Sequence, residues 1–162
     1  MATDMYLKLE GIEGEAQDSA HSAEINVLSF DYGATQSATA HEGTGSTSGR
    51  ADVHDLTVVK HVDKSSPILF HLCASGQHIP KATLSIRKAG GKSPVDYLVI
   101  TMEQVLITTF KSGAQGSADR VSETLVLNFA TIKIDYTPQK EDGTGMGKIT
   151  KGWNIAKNIE HS

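Results

Sequence analysis

The sequence DYLVITMEQVLITTF, residues 96–110, decides the fold class, because it reads as one unusually long β-strand. Side chains on a strand point alternately to its two faces, and both faces of this segment carry apolar or β-branched residues. A bulge or bend near Glu103 and Gln104 would allow the two halves of the strand to join two different sheets. We therefore expect a β-rich fold in which this strand bends.

A second long strand is predicted downstream, over SETLVLNFATIKIDY at residues 122–136. The segment KSGAQGSAD at residues 111–119 is polar and contains two glycines. Two long strands joined by a short polar loop form a hairpin. Alternation of apolar and other residues predicts further strands at residues 5–9, 24–32, 53–62, 82–88 and 149–155.

The spacing of apolar residues becomes helical after residue 62. Asp63 or Ser65 offers an N-cap, and Pro67 falls in the first turn, where its missing N–H costs nothing. Gly76 stands where a left-handed C-terminal cap is expected. We therefore predict one short helix over residues 65–75, packed over the strands. Its inward side chains are expected to be Leu69, Leu72 and Cys73.

Together these elements predict a mainly β fold: a β-barrel or two packed antiparallel sheets with one short α-helix. A chain of 162 residues has the length of one domain, so residues 1–162 are expected to form a single domain. The single cysteine cannot form an internal disulfide. With 15 Lys and Arg against 19 Asp and Glu, the net charge is −4, which disfavours a nucleic-acid partner.

Membrane insertion and a cleaved signal are both unexpected from the sequence. No apolar run approaches the roughly 20 residues needed to cross a bilayer. The amino terminus, MATDMYLKLE, lacks a basic start followed by an apolar run, so it does not resemble a cleavable secretory signal. We expect a protein made and folded in the cytoplasm, whose export would use another route.

The sequence contains no pattern typical of catalysis or of a bound metal. No two of the seven histidines have the i, i+4 spacing of a zinc-protease helix, and we expect them at surface or capping positions. The glycine-rich residues 43–50 lack the Lys and Ser/Thr of a phosphate-binding loop, and no Gly-x-Ser-x-Gly elbow occurs. We expect no catalytic residue, no metal and no cofactor, and therefore no enzyme.

Residues 33–50 form a polar, glycine-rich segment with few large apolar side chains, expected to be a long loop or an exposed hairpin. Long loops in compact domains tend to be functional, so we expect this segment to contact a partner. The alternative is a disordered surface loop. Aromatic residues at the end of the preceding strand are expected to be exposed beside it. The candidate contact residues are Phe30, Tyr32, His41, Arg50 and Asp52.

Five segments fit the pattern of one protein family in order and spacing. They are YLKLEGIEGE at residues 6–15, EINVLSF at 24–30, HVDKSSPIL at 61–69, CASG at 73–76 and ETLVLNF at 123–129. No single segment is diagnostic, but the set is specific. From near residue 5 to Trp153 the chain resembles the haemolysin-coregulated proteins (Hcp) of type VI secretion.

This resemblance implies a small β-barrel with one helix that assembles into six-membered rings. The rings would stack into the inner tube of a contractile injector, expelled when the surrounding sheath contracts. It also implies that effector proteins are held in the ring lumen, and that the spike, sheath and baseplate components are partners. Release would occur without a cleaved signal peptide.

Three other interpretations stay open at this point. The chain could be a monomeric secreted domain that binds a carbohydrate or another ligand. It could be a phage tail-tube protein, which would share the ring but belong to a virion. It could also be an enzyme or toxin that travels through the same apparatus, although no motif predicts its active site.

Overall fold

The computed structural model describes residues 3–37, 50–88, 94–140 and 147–162 of the chain. Within these ranges the protein is built from strands and one short helix. In chain order the elements are β1 (Thr3–Leu9), β2 (Ile25–Asn26), β3 (Ser29–Asp31), β4 (Ala34–Gln36), β5 (Ala51–Val53), β6 (Leu56–His61), α1 (Ser66–Ser75), β7 (Ile79–Lys88), β8 (Asp96–Gly113), β9 (Ser122–Asn128), β10 (Thr131–Tyr136), β11 (Ile149–Asn154) and β12 (Ile159–Glu160).

The longest strand, β8, forms a bent antiparallel hairpin with β9 and β10, which we call the central hairpin. Leu98 lies opposite Tyr136, and Leu106 lies opposite Asn128, so β9 and β10 follow one another along the same side of β8. The strand bends at Gln104, whose φ of 53° is in the left-handed region. The predicted hairpin is confirmed, but its second strand is interrupted between β9 and β10.

The bend in the central hairpin distributes the strands between two sheets. The half of β8 before Gln104 lies in a sheet with the order β12-β11-β10-β8-β7-β1-β2. The half after Gln104 pairs with β9, which is followed by β6 and β3. The expectation that one bent strand would serve two sheets is confirmed.

Residues 24–32, predicted as one strand, are two short strands that connect the two sheets. The Val27 N–H donates to the Met5 carbonyl of β1, whereas the Leu28 N–H donates to the Val59 carbonyl of β6. The chain therefore changes partner within two residues, which closes the sheets into a barrel. The single-strand prediction was wrong because apolar side chains on both faces do not reveal which strand each half will pair with.

The core fills the space between the two sheets. In β8, the buried residues are Ile100 and Met102 before the bend and Val105 and Ile107 after it. The inward positions thus change from even to odd numbers at the bend, since the left-handed residue shifts the alternation by one. Fully buried side chains from the other strands include Leu7, Ile25, Leu56, Leu84 and Leu125.

The helix α1 begins after Ser65 and has Pro67 in its first turn, as the sequence predicts. It ends at Gly76, which has a φ of 70° and donates its N–H to the Leu72 carbonyl at 3.0 Å. Leu69 and Leu72 are buried and Cys73 is half-buried. No helix within the described ranges is long and apolar enough to span a membrane.

The strands β4 and β5 form a two-stranded antiparallel ribbon, which we call the arm. The arm continues the pairing of β3 with β6 beyond a bend, where the His54 N–H donates to the Gly33 carbonyl at 2.8 Å. The base of the segment 33–50 is therefore an exposed hairpin, one of the two forms expected. The single strand predicted for residues 53–62 is replaced by β5 and β6, which separate at this bend.

Candidate functional site

The predicted contact residues Phe30 and Tyr32 lie at the root of the arm. Their rings stack at a centroid distance of 6.3 Å and an interplanar angle of 17°. Both side chains are partly buried and pack against the core, so the expectation of exposed aromatics was wrong. Side chains two apart on an extended chain point to the same face, and here that face is turned inward. The stacked rings therefore pack against the core at the base of the arm.

The other described candidates, Arg50 and Asp52, are exposed on the second strand of the arm or beside it. The Arg50 guanidinium donates to the Ile155 carbonyl at 2.9 Å, which ties the arm to the turn that follows β11. Asp52 lies opposite Thr35 in the ribbon. His41 lies outside the described residues.

An apolar groove of about 380 Å³ separates the arm from the strands β10 and β11. Carbon atoms contribute most of its wall. The groove is open to solvent, and the arm forms its roof. Its large apolar side chains are Tyr32, Val53, Ile132, Ile134 and Trp153.

Large apolar side chains are also exposed at both ends of the outer strands of the first sheet. Tyr136 of β10 lies directly opposite Ile149 at one end of β11, whereas Ile159 of the edge strand β12 lies opposite Asn154 at the other end and on the other face of the sheet. The exposed fractions of Tyr136, Ile149 and Ile159 are 46%, 59% and 53%. Within the described residues, β12 pairs with β11 alone, so Ile159 lies on a strand with an unpaired edge. Such edges are templates for pairing or packing with another chain.

A buried ionic cluster fixes the start of the helix to the second sheet. Lys60 of β6 is fully buried, and its Nζ lies 2.6 Å from Oε1 of Glu123 on the facing strand β9. It also donates to Asp63 at 3.1 Å and to the Ser66 hydroxyl at 3.2 Å. The Ser66 hydroxyl in turn donates to Glu123 at 2.5 Å. Sequence reasoning missed this cluster, because a lysine among β-branched residues is typical of an ordinary half-exposed strand.

His21 is also buried, which corrects the expectation that all histidines occupy surface or capping positions. Its Nδ1 lies 2.9 Å from Glu24 and its Nε2 lies 3.0 Å from Asp96, while the ring stacks on Tyr6. Burial lowers the pKa of His21, but hydrogen bonds and charge from the two carboxylates outweigh burial and raise the pKa above its ordinary value.

A second ion pair, between Asp18 and Arg87, lies beside His21. The hydrogen bond from Arg87 is the main reason that the pKa of Asp18 is below its usual value. The Arg87 guanidinium also lies over the Tyr6 ring, 5.3 Å from its centroid. Spacing in the sequence could not indicate this cluster, since its members come from three distant segments.

The groups described so far are contacts within the fold and exposed apolar surfaces. In the part of the chain that the structure describes, no three His, Cys, Asp or Glu side chains are grouped to hold a metal ion. The features that remain are the projecting arm, its apolar groove and the apolar sheet edge. All three are suited to binding another protein chain.

Comparison with known proteins agrees with this geometry. The family described as "Type VI secretion system effector, Hcp" matches residues 6–136. Protein hcp1 of Pseudomonas aeruginosa is 45% identical over 161 residues, which is 99% of both chains. A solved type six secretion system protein shares 31% identity with a TM-score of 0.93, covering 99% of this chain and 100% of its own. Hcp1 from Salmonella typhimurium shares 36% identity with a TM-score of 0.82 over the same fractions. The chain therefore belongs to the Hcp family of type VI secretion system proteins.

Proposed function

We propose that this protein is the tube subunit of a type VI secretion system. Six copies form a ring, rings stack into the inner tube, and the tube is injected when the surrounding sheath contracts. The observation that carries this proposal is the 45% identity to the Pseudomonas aeruginosa protein over 99% of both chains. Each subunit contributes a single domain, residues 1–162, and its role is structural rather than enzymatic.

The exposed apolar sheet edge supports assembly into a ring. A ring needs two different contact surfaces on each subunit, because one subunit's front meets the back of the next. Tyr136, Ile149 and Ile159 expose large side chains that a neighbouring subunit would remove from water. Burial of apolar area favours such a contact by roughly 25 cal/mol for each Å², before the entropic cost of association is subtracted.

The arm supplies the second surface, toward a neighbouring subunit or the next ring. Phe30 and Tyr32 orient the arm through their stacked rings, and Arg50 ties it to the turn after β11. Asp52 is exposed on the arm and is available for a polar contact. The same proposal assigns a contact role to His41. A polar, glycine-rich contact of this kind suits stacking that must form and disperse.

Further partners follow from the proposed role. Effector proteins occupy the ring lumen, and the spike, sheath and baseplate components of the apparatus contact the tube. Export occurs through the apparatus, without a cleaved signal peptide. Neither nucleic acid nor membrane insertion has a part in this function.

The mass in solution tests the ring directly. Light scattering behind a sizing column at two protein concentrations should give a species near six times 17.3 kDa. Negative-stain electron microscopy of the same fraction should show rings with a central opening. A stable monomer at both concentrations would overturn the ring and leave the tube without its building unit.

The apolar groove beneath the arm favours a second candidate, a monomeric ligand-binding domain. Its volume of about 380 Å³ falls in the usual range for small-molecule sites. The mass measurement separates the two functions, because the ligand-binding candidate predicts a monomer. Substituting Trp153 with Ala would then abolish ligand binding if the groove is the site.

A further inference from the structure

The loop that connects β1 and β2, residues 10–24, is a compact unit. The Gly14 N–H donates to the Ala23 carbonyl at 2.7 Å, and the Ala16 N–H donates to the Glu24 carbonyl at 2.9 Å. A Cβ added at Gly14 would lie 2.5 Å from the Glu24 carbonyl oxygen, so the two sides of the loop approach as closely as glycine permits. The backbone hydrogen bonds of the loop therefore depend on its two sides being held close together.

Side chains fasten this loop to the ends of β7 and β8. Asp18 pairs with Arg87 near the end of β7, and His21 pairs with Asp96, the first residue of β8. The His21 ring also stacks on Tyr6 of β1, with a centroid distance of 4.6 Å and an interplanar angle of 11°. Two ionic contacts and one ring stack thus join the loop to the barrel at this end.

The contacts of His21 require its protonated form. Nδ1 lies 2.9 Å from Glu24, and Nε2 lies 3.0 and 3.1 Å from the two carboxylate oxygens of Asp96. A neutral imidazole has one N–H donor and one lone pair, so one of its nitrogens would direct a lone pair at a carboxylate. Only the imidazolium donates to both carboxylates at once.

Loss of this proton from His21 would increase the excess of negative charge in the cluster. With His21 protonated, two cations stand among three carboxylates, whereas deprotonation leaves Arg87 as the single cation in the cluster. The raised pKa of His21 agrees with this balance. The titratable and charged groups around His21 are Asp18 and Glu24 in the loop, Tyr6 in β1, Arg87 in β7 and Asp96 in β8.

We propose that His21 is a proton-operated clasp, which holds the β1–β2 loop against the β7–β8 end when protonated and releases it at alkaline pH. The closed loop binds the proton more tightly than the open loop does. Its stabilisation is therefore complete below about pH 6.5, the ordinary pKa of histidine, and is lost as the pH rises through the closed-state pKa. Within that window the open fraction increases by up to about tenfold per pH unit and then levels off.

Hydrogen exchange of the assembled protein, followed by mass spectrometry from about pH 6 to about pH 9, tests the clasp. Rates are divided by the intrinsic exchange rate at each pH, so that only protection is compared. Peptides covering residues 14–24 should lose protection by up to about tenfold per pH unit within the window. Peptides from β9 should keep constant protection. Loop protection that does not change with pH in the wild-type protein would overturn the proposal.

Variants identify His21 as the titrating group. His21→Gln should give low loop protection at every pH, and Asp96→Asn should move the loss of protection to lower pH. His161→Gln is the matched control, because His161 also contacts a carboxylate, that of Glu103 at 3.1 Å, but lies outside the loop. It should keep the wild-type profile. If His21→Gln shows the same pH profile as the wild-type protein, the proposal is also overturned. If a variant fails to fold, the measurement on the wild-type protein decides the matter.

Discussion

Two hairpins of this molecule bend, but they differ in what surrounds them. The central hairpin bends at Gln104, and further strands flank it on both outer sides. The hairpin formed by β3 and β4 with β5 and β6 bends at Gly33 and His54. Beyond that bend it becomes the arm, in which every residue of β4 is exposed. A bent hairpin thus encloses a core in one place and projects a surface in the other.

The comparison predicts different roles for the two hairpins: the central hairpin stabilises the subunit, and the arm takes part in assembly. Substitutions in or against the central hairpin should change the free energy of unfolding, because its side chains are buried among neighbours. Changes in the arm should alter contacts between subunits and leave the fold of each subunit intact.

The largest loss of stability is expected from Glu123→Ala in β9. Removing this carboxylate leaves Lys60 buried with Asp63 as its remaining anionic partner, and breaking a buried pair costs about 3–5 kcal/mol. Urea denaturation of wild type and variant measures this difference. The double variant Lys60→Met with Glu123→Leu should recover most of the loss, since it removes both charges together. Equal stability of Glu123→Ala and wild type would show that the pair does not anchor the hairpin.

Leu72→Ala should cost about 2–5 kcal/mol, because the buried side chain packs between α1 and the strands. The control is Phe70→Ala on the same helix. Phe70 is 60% exposed and contacts Phe110 edge-on at 5.8 Å, so its loss should cost clearly less. Chemical denaturation of both variants checks the ranking. A cost near zero for Leu72→Ala would mean that the helix does not stabilise the barrel through this residue.

Deleting residues 34–49 should leave the fold of each subunit intact, because every residue of β4 is exposed. Gly33 would then join Arg50, which leaves a short loop between β3 and β6. The expected effect is on assembly, measured by light scattering and electron microscopy, with rings or stacks lost. Rings and tubes that assemble unchanged would exclude the arm as a contact surface.

The smallest effect is expected from Asp18→Asn, because the Asn amide oxygen can still accept a hydrogen bond from Arg87. The pKa of Asp18 is lowered in the folded protein, so its ion pair with Arg87 contributes stability above the ordinary aspartate pKa of about 3.9. That contribution is lost as the pH falls through the folded-state pKa. The variant should therefore be slightly less stable than wild type at neutral pH, and the two should converge in acid. Urea midpoints at both pH values test this, and a constant difference would contradict it.

Much of the fold could be predicted from the sequence, because the alternation of apolar and polar residues indicates which face of each strand is buried. In β8 the buried positions change from even numbers, such as Met102, to odd numbers, such as Val105. The facing strand changes in the same way between Leu127 and Ile132. Both changes are visible in the sequence, and together they locate the bend. The helix could also be predicted from the sequence, since its proline and its terminal glycine are local signals.

Features that depend on distant partners could not be predicted. Lys60 reads as an ordinary strand residue until Glu123 is placed opposite it. His21 likewise depends on Asp96, 75 residues further along the chain. The split of residues 24–32 into two strands depends on β1 and β6 in the same way. The strand β12 was missed because two residues are too few for a period to be recognised.

The continuity of the central hairpin also bears on how the chain folds. Its two strands are joined by the short segment between Gly113 and Ser122, so closing this loop costs little conformational entropy. Docking of β1 and β6 requires much longer loops to close, and topologies rich in such distant contacts fold slowly. We therefore expect the central hairpin to form first and the closure of the barrel to follow more slowly.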